Sequence, residues 1–100
     1  MDELMANGKE LYAKNCAACH MAEGQGVPGM FPALHGSPIT TTPEGLPDHL
    51  SRILHGKNLM PPFGEQLSDA DIAAVATFER NAWGNDTGDI VQPKDVKAAR

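Results

Sequence analysis

Cys16-Ala-Ala-Cys19-His20 brings the chain's two cysteines and a histidine into five consecutive residues. Thiols at this spacing share one helical turn, so both can form thioether bonds to the vinyl groups of one haem while the adjoining imidazole reaches its iron. Three other chemistries use similar residues. A thioredoxin-like redox pair needs the cysteines at the start of a helix that follows a strand. Here a helical pattern precedes them. Zinc could draw on Cys16, Cys19, His49 and His55, but 30 residues separate Cys19 from His49, far beyond zinc-finger spacing. Zinc also has no use for a histidine directly after the second cysteine. A disulfide between Cys16 and Cys19 closes a loop too small to stabilise much. Covalent haem attachment uses all three residues.

An iron held by His20 needs a second axial ligand, and Met21, Met30, Met60 and the group His35, His49 and His55 are the candidates. Met21 adjoins His20 and cannot reach the opposite face of the ring. Met30 follows His20 by only ten residues, in the segment expected to wrap the proximal side. Met60 lies 40 residues downstream of His20 in Asn58-Leu-Met-Pro-Pro62, where two prolines restrict the backbone and hold the thioether in place. Met60 is therefore the expected ligand, against the commoner use of methionine as a filler of core gaps. The three histidines read as surface or loop residues. Arg52 reads equally as a partner for a haem propionate and as a solvated cation.

These residues must be positioned by helices. Leu4, Gly8, Leu11, Tyr12 and Asn15 recur at spacings of three and four, which predicts an amphipathic helix over 3–18 running directly into the cysteines. Residues 22–43 hold five Gly or Ser and four Pro without a sustained period, and read as an ordered loop or an interaction segment that a cofactor would have to organise. A short helix is expected over 47–55, opened by Pro47, with Leu50, Ile53 and Leu54 buried and Gly56 as the stop. Residues 57–67 are again irregular. Ser68-Asp-Ala-Asp71 matches a capping box, and Ile72, Val75, Ala76 and Glu79 to Ala82 continue the helical spacing until Gly84. Pro93 opens a last helix through Ala99. No alternating strand pattern occurs, so the fold class is all-α.

One hundred residues suit one domain. Hydrophobic residues make up 41% of the chain, but 13 of them are Ala, and Leu, Ile, Val and Phe number only 19. With a formal charge of -5, so few large apolar side chains leave a core that something else must complete. A porphyrin is a flat apolar body larger than any side chain and can do so. The acidic balance argues against nucleic acid and anionic membranes and favours a partner with a basic surface. The longest uncharged interior stretch, 24–43, is broken by Gly and Pro and cannot span a bilayer. The residues before Cys16 carry Asp2, Glu3, Lys9, Glu10 and Lys14, unlike a signal peptide. Met1 is then an introduced start or the cut edge of a longer, anchored parent.

Cys16-Ala-Ala-Cys19-His20, Phe31-Pro-Ala-Leu34 and Met60-Pro-Pro-Phe63 stand in the order, and near the spacing, of a class I cytochrome c, which the chain resembles over nearly its whole length. The resemblance implies a fold of three to five short helices around one haem c. It implies that Gly8 and Tyr12 belong to a first helix that meets the family's last helix, here at Phe78. It also implies that the Pro32 carbonyl accepts from the His20 Nδ1–H, fixing ring orientation and basicity, and that Leu34 packs on the porphyrin. The run Thr77-Phe-Glu-Arg-Asn-Ala-Trp-Gly-Asn85, followed by residues 88–96, resembles the cytochrome c domain fused to subunit II of some bacterial caa3-type haem-copper oxidases. Similar Arg-Asn-x-Trp-Gly-Asn helix ends resemble membrane-anchored cytochromes of dehydrogenases. A copper-site sequence is absent from these residues and would lie upstream. Trp83 either packs on the haem edge or closes the last helix.

The expected function is one-electron transfer by a His/Met-ligated haem, because an iron with both axial positions filled has none open for substrate. Electrons would come from a quinol-oxidising complex or a soluble cytochrome and go to a terminal oxidase, at its dinuclear copper centre if the subunit II resemblance holds. A free-standing periplasmic or dehydrogenase-associated cytochrome is the near alternative. A peroxidase or gas-binding haem protein would require Met60 to be absent or displaced, and a zinc-bound structural module is the third class. Thioether attachment by export-side machinery places the domain in the periplasm or on the outer face of the cytoplasmic membrane, as a monomer.

Overall fold

The computed structural model describes residues 2–16, 24–26, 34, 36–56 and 62–100. These residues form α1 (Asp2–Asn15), α2 (Pro38–Thr41), α3 (Leu46–His55), α4 (Asp69–Asn81) and α5 (Pro93–Ala99), with a single 3-10 turn over Pro43–Gly45. The architecture is all-α, and no strand occurs among the described residues.

Each helix boundary has a local cause. The Ser68 hydroxyl accepts from the Asp71 N–H at 3.1 Å, and Asp69 and Asp71 place negative charge at the positive end of the α4 dipole. Gly56 stops α3 at φ 75°, donating its N–H to the Arg52 carbonyl at 3.0 Å. At α5, Pro93 occupies the first turn and Gln92 and Asp95 form a reciprocal capping box.

The α4 helix is buried on every side from Ile72 to Arg80. Ala73, Ala74 and Ala76 keep it narrow enough for other helices to approach closely. At Gly8 of α1, an added Cβ would lie 2.2 Å from the Ala74 carbonyl oxygen and 2.6 Å from the Phe78 Cβ, so only glycine permits this crossing. Tyr12, one turn later, packs on Phe78 with ring centroids 5.5 Å apart, as the family resemblance implied.

The structure departs from the sequence reading in three places, the first being α1, which the spacing carries to 18 and which ends at Asn15. The spacing carries α4 to Gly84, whereas the helix ends at Asn81, and Trp83 and Gly84 then adopt positive φ, 56° and 85°. This left-handed turn swings the Trp83 ring back onto Tyr12, at 5.0 Å between centroids, a tertiary contact invisible to periodicity. The segment 22–43 also contains a helix. In α2 the Ser37 hydroxyl accepts from the Ile39 N–H, Pro38 opens the turn, and the Thr41 and Thr42 hydroxyls donate to the Ser37 and Pro38 carbonyls, each at 2.7 Å. Four residues are too few to show a period. The Ser37-Pro38 start was its one legible signal.

Candidate haem-binding site

Cys16 continues the α1 hydrogen-bonding ladder, its N–H donating to the Tyr12 carbonyl at 2.8 Å, and is buried. The helix thus delivers the first motif thiol to the interior at its C-terminal end. Cys19 and His20 lie outside the described residues. Around this helix end, Tyr12, Phe78 and Trp83 form a triangle with centroid separations of 5.0–5.5 Å. Burial first, and then the Glu79 carboxyl and Cys16, push the Tyr12 hydroxyl well above the usual tyrosine pKa range. The Trp83 ring packs on Tyr12 and Phe78 at the end of α4. It covers Gly24, where an added Cβ would fall 2.6 Å from the indole.

A second anchor lies at Leu34, which is partly buried against the core. Its N–H donates to the Gly24 carbonyl at 2.7 Å, and its carbonyl accepts from the Thr40 hydroxyl at 2.5 Å and the Asn85 amide at 3.1 Å. Pro32 and Met30 lie outside the described residues.

The third anchor is the last turn of α3. Gly56 leaves it on the Arg52 carbonyl, and the chain returns with the Phe63 N–H on the Ile53 carbonyl at 2.8 Å and the Gly64 N–H on the Leu54 carbonyl at 3.1 Å. Both flanks of the segment carrying Met60 are therefore tied to consecutive residues of one turn. Met60 itself lies outside the described residues. The buried Phe63 side chain fixes the returning flank in the core.

The family model described as cytochrome c oxidase, cbb3-type, subunit III matches residues 3–78. The chain belongs to this cytochrome c family. The cytochrome c subunit of a quinone alcohol dehydrogenase from Gluconobacter oxydans is 35% identical, over 93% of the chain and 22% of that protein. The gluconate 2-dehydrogenase cytochrome c subunit of Pantoea cypripedii is 34% identical, over 93% of the chain and 24% of its own length. Cytochrome c-552 of Thermus thermophilus is 35% identical over 80% of the chain and 70% of its length. The chain spans only about a fifth of the dehydrogenase subunits it matches. As a cytochrome c domain it is an electron carrier, and its cofactor is covalently attached haem c.

Two observations show that the described residues fit this group. Cys16 presents a buried thiol at a helix end, and Arg52 Nε is buried without a hydrogen-bond partner among the described residues. A buried guanidinium nitrogen left unbonded is costly, and an anionic propionate would satisfy it.

His49 departs from its surface or loop reading. It is buried on α3, its Nε2 lies 2.7 Å from Glu79 Oε1, and its Nδ1 lies 3.3 Å from Arg80 Nη1. Both ring nitrogens are engaged, which removes His49 from the zinc reading. Among the described residues no group of three or more His, Cys, Asp or Glu side chains is placed to hold a metal ion. Arg80 is fully buried. It reaches Asp89 at 3.2 Å, the Ile39 carbonyl at 3.0 Å and the Thr42 carbonyl. The sequence reading assigned no role to Glu79, Arg80 or Asn85. Its usable signals were that Glu79 falls on the helical stripe of Ile72, Val75 and Ala76, and that Arg80 and Asn85 lie in the Arg-Asn-x-Trp-Gly-Asn run.

Proposed function

We propose that the chain is a single monohaem domain in which Cys16 and Cys19 hold the haem and His20 and Met60 supply the axial ligands. The Pro32 carbonyl accepts from His20 Nδ1–H, Leu34 packs on the porphyrin, and Arg52 bonds a propionate. The observation that carries this reading is the last turn of α3, which bears the unpartnered Arg52 Nε and ties down both flanks of the Met60 segment. Haem c supplies a reversible one-electron couple. The chain's own part is to hold a thioether where it favours the reduced iron, to keep a rigid shell so that little reorganises on electron transfer, and to leave no open position for substrate.

The dehydrogenase subunits among the relatives favour a catalytic dehydrogenase partner as electron donor. A terminal oxidase is the acceptor, and delivery to its dinuclear copper centre is the reading that the sequence over 77–96 favours. Thioether attachment places the domain in the periplasm or on the outer face of the cytoplasmic membrane. In the described residues no helix is long and apolar enough to cross a membrane.

A pyridine haemochrome assay of the purified domain, with spectra of both oxidation states, tests the cofactor and ligand assignment. The expected result is one haem with two thioether links and a low-spin reduced form that carbon monoxide does not ligate rapidly. A five-coordinate spectrum would return the reading to a gas-binding or peroxidase class. Stopped-flow mixing with a reduced dehydrogenase catalytic subunit, and separately with an oxidised copper domain, then ranks the partners.

A further inference from the structure

Two asparagines one turn apart make matching sets of hydrogen bonds with different targets. Asn81 donates its amide to the Thr77 carbonyl at 2.8 Å and the Asp89 carbonyl at 2.9 Å, and accepts from the Gly88 N–H at 2.8 Å. Asn85 donates to the Glu79 carbonyl at 2.7 Å and the Leu34 carbonyl at 3.1 Å, and accepts from the Gly36 N–H at 2.8 Å. Asn81 thus ties the end of α4 to the segment leading into α5. Asn85 ties it to Leu34 and Gly36, 51 and 49 residues away.

We infer that Asn85 is a positioning residue for the proximal ligand. This rests on the ligand set proposed above, in which the Pro32 carbonyl, two residues before Leu34, accepts from His20 Nδ1–H. Beginning two residues after it, the backbone at Leu34 and Gly36 is held at several points. The Leu34 N–H is on Gly24, the Leu34 carbonyl is shared by Thr40 and Asn85, and the Gly36 N–H is on Asn85. Among the described residues Asn85 alone bonds the backbone on both sides of position 35, donating to Leu34 and accepting from Gly36. An amide can do both at once, with two donor hydrogens on one atom and an acceptor oxygen on the other. Asn85 is itself fixed, through its N–H to the Ala82 carbonyl at 2.9 Å and through Glu79 at the end of the buried helix. A hydrogen bond from the imidazole N–H to a carbonyl raises the basicity of the nitrogen on iron. Asn85 therefore helps set the potential without touching the cofactor.

The test compares Asn85→Ala, the near-isosteric Asn85→Asp, and Asn81→Ala in the holo-domain. Asn85→Asp keeps the acceptor for Gly36 but loses both donors. Asn81→Ala removes an equal set of bonds from the same helix end without touching residues 34–36. Solvent exchange of the His20 Nδ1–H is followed by NMR in the reduced state, with the potential measured alongside. Both Asn85 variants should speed this exchange about three- to tenfold, the ratio that one ordinary hydrogen bond gives, and raise the potential. Asn81→Ala should lower thermal stability comparably but leave both readouts near wild type. Equal exchange in Asn85→Ala and Asn81→Ala would overturn the assignment. If Asn85→Ala fails to fold, the Asn85→Asp comparison decides in the same way. A wild-type spectrum without an imidazole N–H and a ring-shifted methionine methyl would instead overturn the ligand set and this inference with it.

Discussion

His49 Nε2 and Glu79 Oε1 lie 2.7 Å apart, with both residues only 3% exposed. They join α3 to α4 in the interior, and Arg80 closes the group from the other ring nitrogen. Replacing one member leaves the other buried without its partner. His49→Leu and Glu79→Met should each destabilise the domain by about 3 kcal/mol, and the double variant by much less than the sum. Denaturant titration of the four proteins checks this, and full additivity would show that the contact carries no coupling.

Arg80 holds the carbonyls at both ends of the short stretch from Ile39 to Thr42 as well as Asp89. Arg80→Lys keeps the charge but cannot fork to these acceptors. It should cost about 3 kcal/mol and raise amide exchange across 39–42 before exchange in α1 responds. Uniform protection loss across the domain would contradict this local role.

Gly8 carries the α1–α4 crossing. Alanine improves helix propensity by about 1 kcal/mol, but its Cβ would meet a backbone carbonyl at 2.2 Å, and backbone cannot move aside as a flexible side chain can. Gly8→Ala should therefore lose about 2 kcal/mol net in urea unfolding. A gain in stability would mean the two helices can separate cheaply.

Tyr12 is the only tyrosine, so a phenolate absorbance titration reports it alone. Its folded pKa is raised above the ordinary value of 10.0. The stability tied to the neutral hydroxyl is therefore whole below pH 10 and is lost as pH climbs from there to the folded pKa. Stability measured from pH 8 upward should hold level and then fall by up to about 1.4 kcal/mol per pH unit. Tyr12→Phe should remove that slope. A phenolate titrating at the ordinary value would refute the raised pKa.

Met60→Ala should keep the haem attached while opening the sixth position, giving rapid carbon monoxide binding in the reduced state and a lower potential. Unchanged spectra and potential would remove Met60 from the ligand set and direct the same test to Met30.

The chemistry was legible in the sequence because it depends on short-range order. Cys16, Cys19 and His20 are adjacent, the capping residues Ser68 and Pro93 act within one turn, and Gly56 stops a helix by its own backbone freedom. The Gly8 and Phe78 meeting was readable through family resemblance, since one missing Cβ marks a crossing. Tertiary structure alone decided the rest. Glu79 lies on an apolar stripe and Arg80 beside it, yet what permits two charged residues to be buried is His49, 30 residues earlier, and the carbonyls of Ile39 and Thr42. Asn85 likewise ends a turn in sequence and becomes a clamp only where Leu34 and Gly36 meet it. Local patterns fix which backbone groups pair within a helix. Partners for buried polar groups come from distant segments, and no period in the sequence encodes which segment that is.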